Sequence, residues 1–319
     1  MKSDADVLEA WPPPIFDPAG PYAWPITTLS WILLAMAAAV LVLLVVALWL
    51  ALFGSERAQA KVGGTKIIWA AGIALPVIVL TVLLVYGLWL TSSLSDEIEG
   101  DEMRVRVTGE MWWWRVAYLD DEGQEVVRDA NELHIPAGEP VVLELESGDV
   151  IHSFWVPRLS GKLDMIPGRR NLMRIQADEP GVYGGQCAEY CGGPHALMGF
   201  VVVAHEPAAF AQIMSNRLAR EQGTAPGAGT RGAALFQATG CAACHRIAGT
   251  DANGLAGPDL TFMGARRTVG AGILPNNTGT LMGWIGNSQA IKPNNRMPPY
   301  PVLSGEELQA ITAYLEAQR

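Results

Sequence analysis

The sequence predicts a multidomain chain: a two-helix membrane hairpin, then an all-β domain, then an all-α domain. Three observations predict it. Two long runs near the N-terminus, residues 26–53 and 67–95, carry no charge. Between residues 96 and 206, short apolar runs alternate with Gly, Pro and Asp clusters. Beyond residue 230, helix-like segments surround Cys241-Ala-Ala-Cys244-His245. The composition agrees, since half of the 319 residues are hydrophobic and 17% are charged, against roughly 25% charged in an average soluble domain. Low charge with high apolar content excludes a disordered chain. A net charge of −10 argues against nucleic acid as a partner, because phosphate binding needs clustered Lys and Arg.

Each uncharged run exceeds the roughly 20 residues that a membrane helix requires, and neither has a polar face to show to water. Pro76 in the second run is tolerable in a lipid-embedded helix. Trp24, Trp31, Trp49, Trp69 and Trp89 sit near the run ends, where interfacial Trp concentrates. The connecting loop carries Arg57, Lys61 and Lys66, whereas Asp96, Glu97, Glu99, Asp101 and Glu102 follow the second run. The positive-inside bias then puts the loop in the cytoplasm of a bacterial cell and everything after residue 95 outside its inner membrane, with both termini. Residues 1–25 have no apolar core, so the first span is expected to direct insertion without a cleavable signal peptide.

Strand-like runs at 103–107, 112–119, 132–135, 141–145, 150–156, 172–176 and 199–204 predict an antiparallel sandwich or barrel. Within it, Cys187-Ala-Glu-Tyr-Cys191-Gly-Gly-Pro-His195-Ala-Leu-Met198 collects two thiols, an imidazole and a thioether, a soft donor set suited to copper. A Cys-x3-Cys pair alone is equally an extracellular disulfide, and His195 and Met198 at ligand-loop spacing favour the metal. His152, at the start of an apolar run, is a further donor from a neighbouring strand or a core histidine bonded to backbone. In Met111-Trp112-Trp113-Trp114, Trp112 and Trp114 share one strand face, where core packing is the plain reading.

A helix is expected at 207–221. Residues 222–232 then have the Gly-rich composition of a flexible linker. Cys241-Ala-Ala-Cys244-His245 is the haem c attachment signature, in which both thiols add to vinyl groups and the adjacent His becomes an iron ligand. A helix-like stretch at 232–240 precedes it, and Ser304 with Glu307 caps an amphipathic helix that closes the chain. Met297, in Asn295-Arg-Met-Pro-Pro-Tyr300, is the expected second iron ligand because its prolines stiffen the loop; Met263 and Met282 compete. The expected boundaries are 1–25 for an N-terminal segment, 26–95 for the hairpin, 96–206 for the copper domain, 207–229 for helix and linker, and 230–319 for the haem domain.

Through residues 150–157, Pro167-Gly-Arg-Arg170 and 185–198, the β domain resembles the copper A domain of cytochrome c oxidase subunit II. The two preceding runs resemble that family's membrane anchor. The resemblance implies a cupredoxin-like fold and a binuclear centre bridged by Cys187 and Cys191. His152 and His195 would be terminal ligands, Met198 a weak ligand and Glu189 a carbonyl donor. It also implies a magnesium ion on the Glu189 side chain at the boundary with the catalytic subunit, and electron input through Trp112. The last 90 residues resemble a class I cytochrome c, in which the Pro258 carbonyl would orient His245.

None of the five histidines, His134, His152, His195, His205 and His245, lies in a predicted span, so a haem-copper dioxygen site belongs on another chain. The whole resembles subunit II of caa-type oxidases. The expected activity is oxidoreductase: electrons pass from an external donor, a cytochrome c or a quinol-oxidising complex, through haem c and copper A to oxidase subunit I. An electron-input subunit of a copper A nitric oxide reductase shares these motifs. A membrane-tethered copper chaperone would leave the haem domain unexplained. Residues 96–221 hold 22 acidic and 11 basic residues, net −11, and residues 223–319 hold 5 and 7, net +2, so the two redox domains are expected to attract.

Overall fold

The computed structural model describes residues 12–94 and 102–319; residues 1–11 and 95–101, with the end of the second uncharged run and its acidic segment, lie outside the described residues. The chain divides into a helical unit, Trp24–Glu97, and a second unit made of Met1–Ala23 with Ile98–Arg319. In the helical unit, α1 (Trp24–Phe53) has 30 residues, about 45 Å at 1.5 Å per residue, enough to cross a hydrocarbon core of about 30 Å. Its Thr28 and Ser30 hydroxyls donate to the Trp24 and Ile26 carbonyls, at 2.9 and 2.8 Å, so neither hydroxyl needs a water partner. A short turn leads through α2 (Glu56–Val62) and α3 (Thr65–Trp69) into a π-helical turn, Ala70–Ala74, and then α4 (Leu75–Leu94). Pro76 explains the turn: its ring crowds the carbonyl four residues back and it offers no N–H, so the ladder widens just before it.

The β domain holds β1 (Met103–Glu110), β2 (Trp113–Leu119), β3 (Glu125–Ala130), β4 (Glu132–Pro136), β5 (Val141–Ser147), β6 (His152–Trp155), β7 (Lys162–Met165), β8 (Asn171–Ile175), β9 (Gly181–Cys187) and β10 (Gly199–His205). They form two five-stranded sheets, ordered β3-β2-β1-β5-β8 and β4-β10-β9-β6-β7. The sandwich is mixed rather than purely antiparallel, because β1 runs parallel to β5 and β10 parallel to β4. Asn131 turns the chain from one sheet to the other. It adopts φ 61° between β3 and β4, and its side-chain oxygen accepts the Trp114 N–H at 2.9 Å; Asn tolerates the left-handed region better than most residues. Trp114, Phe154 and Phe200 form the aromatic centre of the core, with centroids 4.6–5.9 Å apart. Gly185 makes this possible, since a Cβ there would lie 2.3 Å from the Phe200 ring.

α5 (Pro207–Gln222) leads into the all-α domain: α6 (Arg231–Ala238), a small hairpin of β11 (Thr268–Val269) and β12 (Leu274–Pro275), α7 (Thr278–Ile291) and α8 (Gly305–Glu316). α6 crosses α8 closely because Gly232 lacks a Cβ, which would lie 2.1 Å from the Ala310 carbonyl, and Phe236 meets Tyr314 edge to face at 5.8 Å. Both α7 and α8 open with capping boxes, Asn277 with Thr280 and Ser304 with Glu307.

The Gly-rich stretch 222–232 does not form the loose tether that its composition predicts. Ala225 is 4% exposed in the core of the all-α domain, the Pro226 carbonyl accepts from Gln318 at 2.9 Å, and Gly223 lies against Gly249. At its start, Glu221 binds Arg246 at 2.5 Å and accepts the Arg128 N–H at 3.1 Å. Small residues here permit close backbone packing, a use of glycine that composition cannot distinguish from flexibility.

The β domain and the all-α domain meet over a charged seam. Asp129, fully buried on β3, receives Arg217 of α5 at 2.5 Å and Arg266 of the all-α domain at 2.6 Å. Around it, the Arg267 N–H donates to Glu132 at 2.9 Å and the Gly199 N–H to the Ala271 carbonyl at 3.0 Å. Arg296 pairs with Asp149 at 3.3 Å. In each of the cross-domain pairs of Arg266, Arg296 and Arg246 the cation belongs to residues 223–319 and the anion to residues 96–221, the sense the charge balance predicts.

Candidate metal centre and haem cavity

Cys187 ends β9, Cys191 and His195 follow in the loop, Met198 precedes β10, and His152 opens the adjacent β6. Pairing of β6 with β9 puts Phe154 opposite Cys187, which brings His152 over the loop. The two thiol sulfurs are 3.8 Å apart. His152 Nδ1 lies 3.9 Å from the Cys187 sulfur, His195 Nδ1 3.4 Å and Met198 Sδ 3.8 Å from the Cys191 sulfur, and the Glu189 carbonyl 3.2 Å from the Cys187 sulfur. Neither cysteine is in a disulfide. Both thiols, Met198 and His152 are buried. Two thiols with two imidazoles, a thioether and a carbonyl converging at these distances fit a soft metal pair.

Gly109 on β1 leaves room for the His152 ring, since a Cβ would lie 2.7 Å from Cδ2. His152 Nε2 bonds to Asp149 at 2.8 Å, which turns Nδ1 toward the sulfurs. The Cys187 thiol is held well below the usual thiol range by the hydrogen bond with Cys191, against burial, with His152 adding to the effect. Burial pulls His152 down, but its bonds to Cys187 and Asp149 outweigh that and raise it. The Glu189 carboxylate, half-buried, makes no ion pair or hydrogen bond among the described residues.

Trp112 joins this loop to the second site. Its indole N–H donates to the Cys191 carbonyl at 2.9 Å, and a Cβ at Gly193 would come within 2.8 Å of its ring. Trp112 and Trp113 also wall a cavity of about 290 Å³ whose other side is built from Cys241, Cys244, His245, Met263 and Met297. His245 Nδ1 donates to the Pro258 carbonyl at 2.7 Å; burial holds the ring below its usual pKa, so it is neutral with Nε2 free to coordinate. Gly257 lets the backbone approach that ring, where a Cβ would lie 2.7 Å from Cε1. The free thiols of Cys241 and Cys244, the oriented imidazole and the thioethers make the cavity fit a covalent haem.

Met297 lines the cavity, its loop fixed by Ser288 and Gln289, which donate to its carbonyl at 3.0 and 2.9 Å. Met263 also lines it, but its sulfur accepts from Arg266 at 3.8 Å; Met282 does not line it. Sequence reasoning missed Asp149, which joins His152 to Arg296, and Lys292, which donates to the Trp112 carbonyl. Asp149 stands three residues before His152, a weak signal; Lys292 is 180 residues from Trp112 and gives none.

Residues 121–205 match the family described as cytochrome c oxidase subunit II, periplasmic domain, and residues 229–318 match cytochrome c. A cytochrome c oxidase subunit 2 from Alkalihalophilus pseudofirmus is 36% identical over 269 residues, covering 83% of this chain and 77% of the relative. The subunit 2 proteins of Bacillus subtilis and Bacillus sp. strain PS3 are 29% and 31% identical over 282 and 268 residues, covering 82% and 78% of this chain and 78% and 73% of theirs.

Proposed function

Because the chain belongs to the cytochrome c oxidase subunit II family, in the form fused to a C-terminal cytochrome c domain, we propose a residue-level division of its electron-input work. The chain is the subunit through which electrons enter a haem-copper oxidase, with copper held in a cupredoxin-like domain and haem c behind it. Copper and haem c, when bound, supply the one-electron couples. The residues do the rest. Cys187, Cys191, His152 and His195 would hold the copper, with Met198 and the Glu189 carbonyl as further donors. Cys241 and Cys244 would attach the haem, while His245, oriented by Pro258, and Met297 would hold its iron. Trp112 carries electrons into the copper centre.

The observation that carries this reading is the position of Trp112, which walls the haem cavity and donates its indole N–H to the Cys191 carbonyl. Trp112→Leu tests it: copper and haem contents stay at two and one per chain, while haem-to-copper transfer after a light flash slows at least tenfold. An unchanged rate sinks the role.

The free Glu189 carboxylate supports a magnesium site shared with the catalytic subunit, to be checked by manganese substitution and its spin-resonance spectrum in wild type and Glu189→Gln. For sidedness, the Ala19 N–H donates to the Arg158 carbonyl at 2.7 Å and Asp17 pairs with Arg158 at 2.8 Å. The segment before the first span thus lies on the copper domain that follows the second. That is the requirement of a lipid-embedded, two-span hairpin with a basic cytoplasmic loop and both redox domains outside. The external donor is a cytochrome c or a quinol-oxidising complex.

A further inference from the structure

α7 ends at Ile291 because Pro293 disfavours helical geometry at Lys292. Lys292, at φ −134° and ψ 81°, is 2% exposed. Its Nζ donates to two backbone carbonyls, of Trp112 at 2.7 Å and of Gly270 at 3.1 Å. Both are neutral. The other charged side chains along the haem cavity are each ion-paired: Glu110 with Arg115 at 2.8 Å, Arg266 with Asp129 at 2.6 Å, and Arg296 with Asp149 at 3.3 Å. Lys292 therefore lines the cavity with no carboxylate partner among the described residues. Burying an ammonium without a carboxylate partner is costly, and burial pulls Lys292 down to about 7, with the charge of the Cys191 thiol pulling weakly the other way. An ammonium has three N–H donors, so one remains after the two carbonyls. Haem c brings the missing anion, because thioether attachment at Cys241 and Cys244 uses the vinyl groups and leaves both propionate carboxylates free.

We propose that Lys292 is a positioning residue that ion-pairs with a haem carboxylate and ties it to the Trp112 backbone. A polar route then runs from the haem through Lys292 and Trp112 to the Cys191 carbonyl, and the ion pair fixes which edge of the haem faces the copper domain. The inference rests on haem c occupying this cavity.

The test uses the full chain loaded with copper and haem c, as wild type, Lys292→Met and Lys292→Arg. Haem content comes from absorbance, the haem potential from a redox titration, and the carboxylate bands from redox-difference infrared spectra. Loss of a cation beside the haem favours the ferric state, so Lys292→Met shifts the ferrous-to-ferric ratio about tenfold, or 59 mV for one electron, and moves a carboxylate band; Lys292→Arg restores most of both. A fully haem-loaded Lys292→Met chain with unchanged potential and unchanged bands overturns the proposal. Should that variant lose its haem, the structure of the wild-type holo chain decides: a haem carboxylate within about 4 Å of Nζ supports the pair, and both carboxylates beyond that reach overturn it. A wild-type chain without covalent haem refutes the cavity assignment itself, a different failure.

Discussion

Asp129→Asn removes the anion that holds two buried guanidiniums on opposite sides of the domain seam. Asp129 is fully buried, Arg217 and Arg266 are each 6% exposed, and both are within 2.6 Å of its carboxylate oxygens. An asparagine keeps one acceptor but no charge, so Arg217 and Arg266 are left as like charges in a water-poor place. Breaking a buried pair from one side costs about 3 to 5 kcal/mol. Each 1.4 kcal/mol is a factor of ten, so the seam opens roughly a hundred to four thousand times more often. Two backbone amides report that opening directly, because their acceptors lie across the seam: Gly199 donates to the Ala271 carbonyl and Arg267 to the Glu132 carboxylate. Amide exchange of the full holo chain in detergent, read by mass spectrometry, should show both accelerated by about that factor, with β1 and β5 amides unchanged. Exchange at Gly199 and Arg267 within about threefold of wild type would refute the clamp, since a seam that survives loss of its central anion is held by something else.

Other outcomes follow from the same geometry. Cys187→Ser or Cys191→Ser should abolish the mixed-valence copper spectrum while haem c remains, because a single bridging thiolate cannot hold two metals; spin resonance with metal analysis checks it. Met297→His should lower the haem potential, an imidazole donating more strongly to ferric iron than a thioether, whereas Met282→Leu should leave it unmoved in a redox titration. Gly193→Ala puts a Cβ 2.8 Å from the Trp112 ring, so copper reduction in stopped flow should slow while copper content stays constant. Burial raises the Asp129 carboxyl, but Arg266 and Arg217 outweigh it and hold the group below the usual carboxylate range. Its contribution is therefore present above the unfolded value near roughly 3.9 and is lost as pH falls through the lower folded value. Seam exchange, corrected for its intrinsic pH dependence, should stay constant from pH 7 to 5 and rise only in stronger acid.

The parts of this protein that the sequence determined by itself are those whose chemistry is local. Cys241, Cys244 and His245 fall within five residues, Cys187 to Met198 span one loop, and Pro258, the His245 partner, comes thirteen residues on. The uncharged runs at 26–53 and 67–95 declare themselves because lipid imposes one composition along a whole helix. Strands β3, β7 and β9 were not legible, since four of the seven positions of Gly181–Cys187 are glycine or cysteine and Lys162–Met165 has four residues. Only the tertiary structure decided the parallel pairing of β1 with β5, because register depends on a partner strand and not on alternation alone. The same holds for the seam. Asp129 meets Arg266 across 137 residues and Lys292 meets Trp112 across 180, and a charge in a sequence carries no mark of the distant carbonyl or carboxylate that will receive it. Residues 222–232 make the point most sharply: glycine permits both a flexible coil and a tightly packed crossing, and what chose the second was the surface waiting at Gly249 and Gln318.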